Sequence, residues 1–365
     1  MITKLYIDNF RCFSNFELEL DRFHLFLGAN GSGKSSVFDV LSQVRGLLSG
    51  QSIRECGLLG ERTAWDDRPT QDVAVEMREG DDPFRYELRV KNDREKNRRW
   101  IVRERLCWRD EEIYLCEEGA VHLHRSREGK SAEIVEFPFD SSRSFIPTPV
   151  EGPGFEPLSR FRLAVRNWVT VKLVPSTMGD PSIEEAADLE ADGENFSSWY
   201  RYLTQAHPEV TTPLVASLQE VIPGLEHLLF QPSGDVMLLQ ARFSGMRRPL
   251  WFHQLSDGQR ALIALYTILH AVPSLGYSLF IDEPDNYVTL REIQPWLLKL
   301  DDLCREHGRQ AILISHHPEI INLLVKDDGI WFTRPDNEHV IARRDYPMVD
   351  GLTAAETMAR GWDDE

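Results

Sequence analysis

The most chemically specific stretch of the chain is Gly28-Ala29-Asn30-Gly31-Ser32-Gly33-Lys34-Ser35-Ser36, which satisfies the spacing GxxxxGK[ST]. Glycines at these positions let backbone amides close around phosphate oxygens, and a helix that starts where the loop ends adds its dipole. At this spacing Lys34 reaches the β and γ phosphates and the Ser35 hydroxyl ligates magnesium, so the stretch calls for ATP and magnesium. The plainer alternative is a glycine-rich turn that merely starts a helix.

Three further stretches, all in the second half, carry residue types suited to the same ligand. Leu255-Ser256-Asp257-Gly258-Gln259 precedes Ala261, Leu262, Leu265 and Leu269 at helical spacing, so Ser256 can cap a helix whose free amides face an anion. Taken alone, these five residues read more simply as a helix cap. Tyr277 to Ile281 is an apolar run that ends in Asp282-Glu283-Pro284. An acid at the tip of a buried strand is costly unless it meets a cation or a proton-bearing ligand, so Asp282 reads as a magnesium carboxylate and Glu283 as the general base for water. Two solvated acids in a strand-ending turn are the alternative. Ala311-Ile312-Leu313-Ile314-Ser315 is a second apolar run, and His316 at its end could sense a γ phosphate. Either His316 or His317, considered by itself, is more often a hydrogen-bonded structural residue.

These groups need elements to hold them. Phe16 to Leu20 alternates as a half-buried strand does, and Phe23-His24-Leu25-Phe26-Leu27 is nearly all apolar, as a central strand is, before running into the glycine loop. After the loop, Val37, Phe38, Val40, Leu41 and Val44 have helical spacing. From about Val73 to Phe139 alternating runs separated by turn residues predict a meander of antiparallel hairpins. Residues from about Phe161 to Leu228 read as mostly helical, interrupted by the acidic stretch Asp180 to Glu194, and a strand pair is expected around Val236 to Phe243 and Leu250 to Phe252. No internal repeat and no sustained heptad pattern is present.

Composition narrows the function class. The chain has 365 residues, 42% hydrophobic and 27% charged, which is globular composition. Its net charge of −18 is opposite to that of a protein that coats a phosphate backbone without sequence preference, so any nucleic-acid contact must be a local basic patch. Five cysteines form no CxxC pair, and no apolar run approaches the roughly 18 residues of a membrane span. A soluble, cytoplasmic chain with no membrane partner is expected.

The order and spacing of the four stretches resemble the ATP-binding-cassette ATPases: phosphate loop, an LSxGQ-like signature, an apolar strand ending in Asp-Glu, and a switch histidine. Within that superfamily the chain looks closest to the SMC, RecF and overcoming-lysogenisation-defect branch, which commonly begins with a strand and Asn-Phe-Arg, here Asn9-Phe10-Arg11. Ile222-Pro223-Gly224-Leu225, the Leu-Ser-Asp-Gly-Gln signature and Ile-Asp-Glu-Pro further resemble bacterial ATPases of that branch, many from anti-phage defence operons. The resemblance implies an α/β P-loop NTPase fold of ABC type, with a mixed sheet core, an antiparallel β meander and a helical insertion. The expected organisation is a split ATPase core at 1–90 and 246–345, a β hairpin region at 91–150, a helical insertion at 151–245 and a tail at 346–365. It also implies a head-to-tail homodimer with ATP held between Lys34 of one chain and Ser256-Asp257-Gly258 of the other. Arg11 matches an arginine that in this class lies near the nucleotide, and Gln71 is the candidate for the glutamine that contacts magnesium. The run Asp285-Asn286-Tyr287-Val288-Thr289 departs from relatives that carry an Asp or His several positions after the Glu-Pro.

With no coiled coil and no second catalytic domain, the chain reads as a motor or switch without an effector of its own. The favoured reading is a defence ATPase that controls a nuclease or toxin encoded nearby. The alternative is a RecF-like repair or loading ATPase that binds DNA directly; a third reading, a transporter cassette, is disfavoured by the insertion-split arrangement and the lack of a recognisable coupling segment. The basic run Arg89, Lys91, Arg94, Lys96, Arg98, Arg99, Arg103 and Arg105, with Trp100 and Trp108 interleaved, fits a solvated hairpin face, a nucleic-acid contact or a protein-docking face. The acidic run between Glu184 and Glu194 reads as a solvated loop or a dock for a basic partner, and the chain ends in the acidic Trp362-Asp363-Asp364-Glu365.

Overall fold

A computed structural model describes all residues except 94, 95, 97, 128, 129, 151, 336, 337, 346–351 and 360–365. The chain divides into two compact units, one of Met1–Trp168 with Val325–Glu365, the other of Val169–Leu324.

The first unit is organised by an eight-stranded antiparallel sheet. Its strand order is Phe16–Glu19, Ile2–Asp8, Thr70–Glu79, Asp82–Asp93, Arg98–Trp108, Glu111–Glu117, Ala120–Arg127, Lys130–Pro138. The meander expected from the alternating runs is present, and it is continuous with the first two strands: Ile7 pairs with Phe16 on one side and with Val73 on the other. Alternation follows from the pleat, which sends successive side chains to opposite faces. Thus Val73, Val75 and Met77 are buried, as are Phe84, Tyr86, Leu88 and Val90 on the next strand. Helix Glu156–Arg166 covers part of that apolar face, its Phe161 ring 5.6 Å from Phe84 and 5.8 Å from Tyr86. Glu104 is fully buried in the same layer, where the Tyr86 and Tyr114 hydroxyls donate to its two carboxylate oxygens at 2.8 and 2.7 Å.

A smaller sheet in this unit positions the glycine loop. Phe23–Leu27 lies parallel to Gly329–Thr333, which pairs antiparallel with Ile341–Arg343. All five residues of Phe23–Leu27 are buried, which suits a strand covered on both faces. Phe26 packs between Phe38 of the helix that follows the loop and Phe332 of the neighbouring strand, at 5.7 and 4.7 Å.

In the second unit Ser278–Asp282 runs parallel to Gln310–Ile314, with Asp282 level with Ile314, and helix Leu290–His307 makes the crossover. Both strands are buried at every residue. Helix Asp257–Leu275 is apolar nearly all round and correspondingly enclosed, with Ala261 to Leu269 all buried. Residues 161–228 depart from the mostly helical expectation. Helices Glu156–Arg166, Phe196–Ala206 and Pro208–Val221 are separated by strands Trp168–Val171 and Pro181–Ser182, and Leu225–Ser233 is a strand paired with Val236–Phe243. Gly224, at φ +78°, turns the chain out of the last helix, and the following Leu-Leu-Phe run is too short for periodicity alone to tell helix from strand. Leu250–Trp251 does pair with Val236–Phe243, as expected, and Pro181–Ser182 is also paired with that strand.

Candidate functional site

In the first unit the loop from Gly28 to Gly33 joins the buried strand Phe23–Leu27 to helix Lys34–Leu48, the strand, loop and helix order that the phosphate-loop motif requires. Gly28, at φ +132°, admits no side chain: a Cβ there would lie 2.1 Å from the Phe332 carbonyl oxygen. Gly33, at φ +99°, is less confined, a Cβ there lying 3.0 Å from both the Cys12 and the Val340 side chains. The backbone is therefore pressed into a tight loop, closed on itself by the Ser32 N–H donating to the Ala29 carbonyl at 3.2 Å, the kind of glycine-rich turn that can cradle an anion. Lys34 is 5% exposed, and its ammonium donates to the carbonyls of Gly28 at 2.7 Å and Ala29 at 2.9 Å and to the Ser32 hydroxyl at 3.3 Å. Its charge is thus stored inside the loop. Ser32 is buried, Ser36 is half-buried, and Asn30, Gly31 and Ser35 are exposed at the loop's outer surface.

Arg11 comes to this loop from the turn after the first strand, at φ +49°. Its guanidinium donates to Ser36 Oγ at 3.2 Å and to Glu61 at 2.9 Å, and pairs closely with Asp39 on the loop's own helix. The structure thus brings Arg11 against the last motif residue. Gln71 is differently placed. It is fully buried, its amide donates to the carbonyls of Asn9 at 2.8 Å and Glu61 at 3.2 Å, and its oxygen accepts from Asn92 at 3.3 Å. With both ends of the amide engaged, Gln71 braces the turn that carries Arg11.

In the second unit Ser256 caps helix Asp257–Leu275 with a reciprocal box: Gln259 N–H donates to Ser256 Oγ at 3.2 Å, and Ser256 N–H donates to Gln259 Oε1 at 3.1 Å. Leu255 is buried beneath the cap while Ser256 and Asp257 face outward, and Asp257 accepts from Arg260 at 2.5 Å. Gly258 cannot carry a side chain, since a Cβ would stand 2.7 Å from the Tyr287 carbonyl oxygen. The helix start and the loop after the acidic pair are therefore in backbone contact within one unit.

Asp282 ends its strand 7% exposed, and its carboxylate accepts from the Lys172 ammonium at 3.0 Å. The Lys172 ammonium thus occupies this carboxylate, whose oxygens are hard donors of the kind that suit a cation. Glu283 is held in the left-handed region at φ +55°, a conformation that costs a non-glycine residue of order 1–3 kcal/mol. Its N–H donates to the Ile314 carbonyl at 2.8 Å, and its carboxylate accepts from Asn286 Nδ2 at 2.7 Å. The strain turns Glu283 out of the strand while Asp282 stays in it. Burial pushes the nearby Asp285 carboxyl above its usual range, against the Ser315 hydroxyl, which pulls it down. His316 is exposed directly after the buried Ser315. His317 instead turns inward on its own chain: its N–H donates to Ser315 Oγ at 3.0 Å, and its Nδ1 accepts from Glu319 N–H at 3.2 Å, at the start of helix Pro318–Asp328.

Residues 1–46 match the model of an AAA ATPase domain, and residues 169–322 match an AAA domain model whose description names an AbiEii toxin of a type IV toxin–antitoxin system. The fold is similar to that of an SMC head bound to the C-winged helix domain of ScpA, with 15% identity, a TM-score of 0.54 and coverage of 98% of this chain and 99% of that one. It is also similar to an Smc head with an extended coiled coil bound to the C-terminal domain of ScpA from Pyrococcus furiosus, with 14% identity, a TM-score of 0.50 and coverage of 99% and 98%. Both matched stretches thus resemble AAA ATPase domains, and the fold is that of an SMC head. No curated protein sequence matches it.

Three of the eight basic residues of the hairpin, Arg89, Arg103 and Arg105, face acids on neighbouring strands. Arg89 donates to Asp72 at 2.7 Å, Arg105 to Glu112 at 2.7 Å with Glu87 3.5 Å away, and Arg103 lies 3.9 Å from Glu117. Arg99 donates to the Leu58 carbonyl at 2.8 Å. Lys91 and Arg98 flank the Trp100 ring, each 5.4 Å from its centroid. Arg94 lies outside the described residues, as does the acidic end of the chain from Trp362 to Glu365. Among the described residues no helix is long and apolar enough to cross a membrane. Sequence reasoning had no means of finding Lys172, 110 positions from the carboxylate it holds, or Asn286, whose amide looks like an ordinary turn residue until its bond to Glu283 is seen.

Proposed function

We propose that this chain binds and hydrolyses ATP as a nucleotide-gated head-to-tail homodimer, and that its closure controls a separately encoded nuclease or toxin in anti-phage defence. Lys34 and the amides of Gly28 to Ser36 would hold the phosphates, and Ser35 and Asp282 would hold magnesium, which when bound supplies charge neutralisation at the phosphates. Glu283 would take the proton of the attacking water, oriented by Asn286, and His316 would report on the terminal phosphate. Arg11 would lie beside the nucleotide on the loop's helix. In the partner, Leu255 to Gln259 would form a capped helix start that turns the Asp257 and Gly258 amides to the same nucleotide.

The observation that carries the hydrolytic reading is the strained Glu283, turned out from a buried strand beside a carboxylate that attracts a cation. The effector reading is supported by the toxin–antitoxin description of the model that matches residues 169–322. Pairing of Arg89, Arg103 and Arg105 with acids favours an effector over a DNA loader, because a paired guanidinium has less charge to offer a phosphate. The test is ATP turnover in magnesium. Lys34→Ala should abolish nucleotide binding, whereas Glu283→Gln should bind ATP normally and turn over about 10²- to 10⁴-fold more slowly. Wild-type turnover by Glu283→Gln would remove the assignment of the base.

A further inference from the structure

The helix start at Ser256 is approached by a segment fixed in an unusual way. Phe252 is fully buried and stacks on Phe196 at 5.2 Å and 15°, and Leu255 is buried, so both drive into the core of the unit. Between them His253 faces outward, its side chain about half exposed. The Asp180 carboxylate takes two bonds from it: one oxygen accepts the His253 backbone N–H at 2.6 Å, and the other makes a close contact with ring Nδ1. Asp180 is only 9% exposed and is itself immobilised. Its carbonyl accepts from Leu239 N–H at 2.9 Å, the Gly179 carbonyl before it accepts from Ser197 Oγ at 2.6 Å, and Pro181 after it pairs with Leu238. The same segment also reaches the helix from below, since Arg260 donates both to the Met178 carbonyl at 3.2 Å and to Asp257.

We infer that Asp180 and His253 are positioning residues of the nucleotide-binding helix start, a bidentate clamp that sets the direction in which the Ser256 cap and its free amides point. Neither residue belongs to the four motifs. The geometry argues for more than packing: a nearly buried carboxylate spends both oxygens on one outward-facing histidine, three residues before the cap, when Phe252 and Leu255 already supply the apolar hold. Helix amides act on an anion only within about the first turn, so a small rotation of the cap costs much of their effect. A bond from a charged carboxylate in a partly dry setting resists that rotation more strongly than a neutral one.

This inference rests on the proposed meeting of the helix start with a partner's nucleotide. It is tested in the full-length chain by nucleotide-driven association of Glu283→Gln proteins, measured by sedimentation with ATP and magnesium, together with ATP affinity and, in the otherwise wild-type chain, turnover. Asp180→Ala and His253→Ala should each weaken association and lower turnover by about tenfold or more, while ATP affinity at the loop Gly28 to Ser36 stays unchanged. His253→Asn should restore most of the loss, because its amide nitrogen falls near the position of Nδ1; His253→Gln, which mimics Nε2, should not. Being half-exposed, position 253 tolerates these changes without unfolding, so the Asn and Gln pair decides the matter even if Asp180→Ala fails to fold. Equal loss in His253→Asn and His253→Gln overturns the ring clamp. Normal association by His253→Ala and Asp180→Ala, with Ser256→Arg inactive, overturns the inference and leaves the helix start in place. Normal association by Ser256→Arg removes the underlying reading instead.

Discussion

Two adjacent histidines at the end of one strand show how residue identity and residue role part company. His317 has a local task, accepting from Glu319 N–H at the start of helix Pro318–Asp328, while His316 is exposed at the strand's tip. His316→Ala should therefore lower ATP turnover far more than ATP affinity. His317→Ala should cost stability on the scale of a lost helix cap, about 0.5–2 kcal/mol by urea unfolding, and leave turnover nearly intact. The reverse ranking in a turnover assay would transfer the phosphate-sensing role to His317. Asp282 and Glu283 separate in the same way, one staying in the strand with Lys172 on its carboxylate and the other turned out at positive φ.

At the scale of elements, the meander strand Arg98–Trp108 buries an acid that the alternation pattern alone would send inward. Glu104 follows the pleat to the face that Leu106 also occupies, and two tyrosine hydroxyls make it tolerable there. Burial pushes its carboxyl above the ordinary range, opposed by the Tyr114, Ser144 and Tyr86 hydroxyls. Between the unfolded and folded values the folded chain holds more protons than the unfolded one, so this group withdraws stability as pH rises through that window. Glu104→Gln removes the titration and can still accept from one tyrosine. Its unfolding midpoint relative to wild type should improve as pH rises above the ordinary glutamate range; a difference that is flat or falls with pH would show that Glu104 is not held in this way.

For the molecule as a whole the deciding question is whether two copies share each nucleotide. Ser256→Arg should leave ATP binding intact and block closure, and mixing it with Lys34→Ala should restore at most one working site per dimer. Full activity of Ser256→Arg at dilutions where the chain is monomeric would end the sandwich. The hairpin tests the other output. With Arg89, Arg103 and Arg105 paired to acids, the cations of the run left to meet a phosphate among the described residues are Lys91 and Arg98 beside Trp100 and the exposed Lys96, so duplex DNA should bind weakly, with a log–log salt slope no steeper than about −3. A slope several times steeper, flattened by Lys91→Glu with Arg98→Glu, would favour the DNA-loading reading.

The chemistry proposed for this chain is legible in sequence because it is local. A buried strand, a glycine loop and a lysine at fixed spacing have few other uses, and the strand tip with paired acids and the capped helix start are likewise set by neighbours within a few residues. Alternation also sufficed to predict the meander, since the pleat has a period of two. Tertiary structure decided whatever depends on distant partners. The bonds of the Gln71 amide to Asn9, Glu61 and Asn92, and the acids Asp72, Glu112 and Glu117 that face Arg89, Arg105 and Arg103 across the hairpin, are contacts that no local pattern announces. The short apolar run after Gly224 became a strand because Val236–Phe243 pairs with it. Lys172 on Asp282 and Asp180 on His253 join positions 110 and 73 residues apart, separations over which only the packed chain, not any pattern along it, brings a carboxylate to its partner.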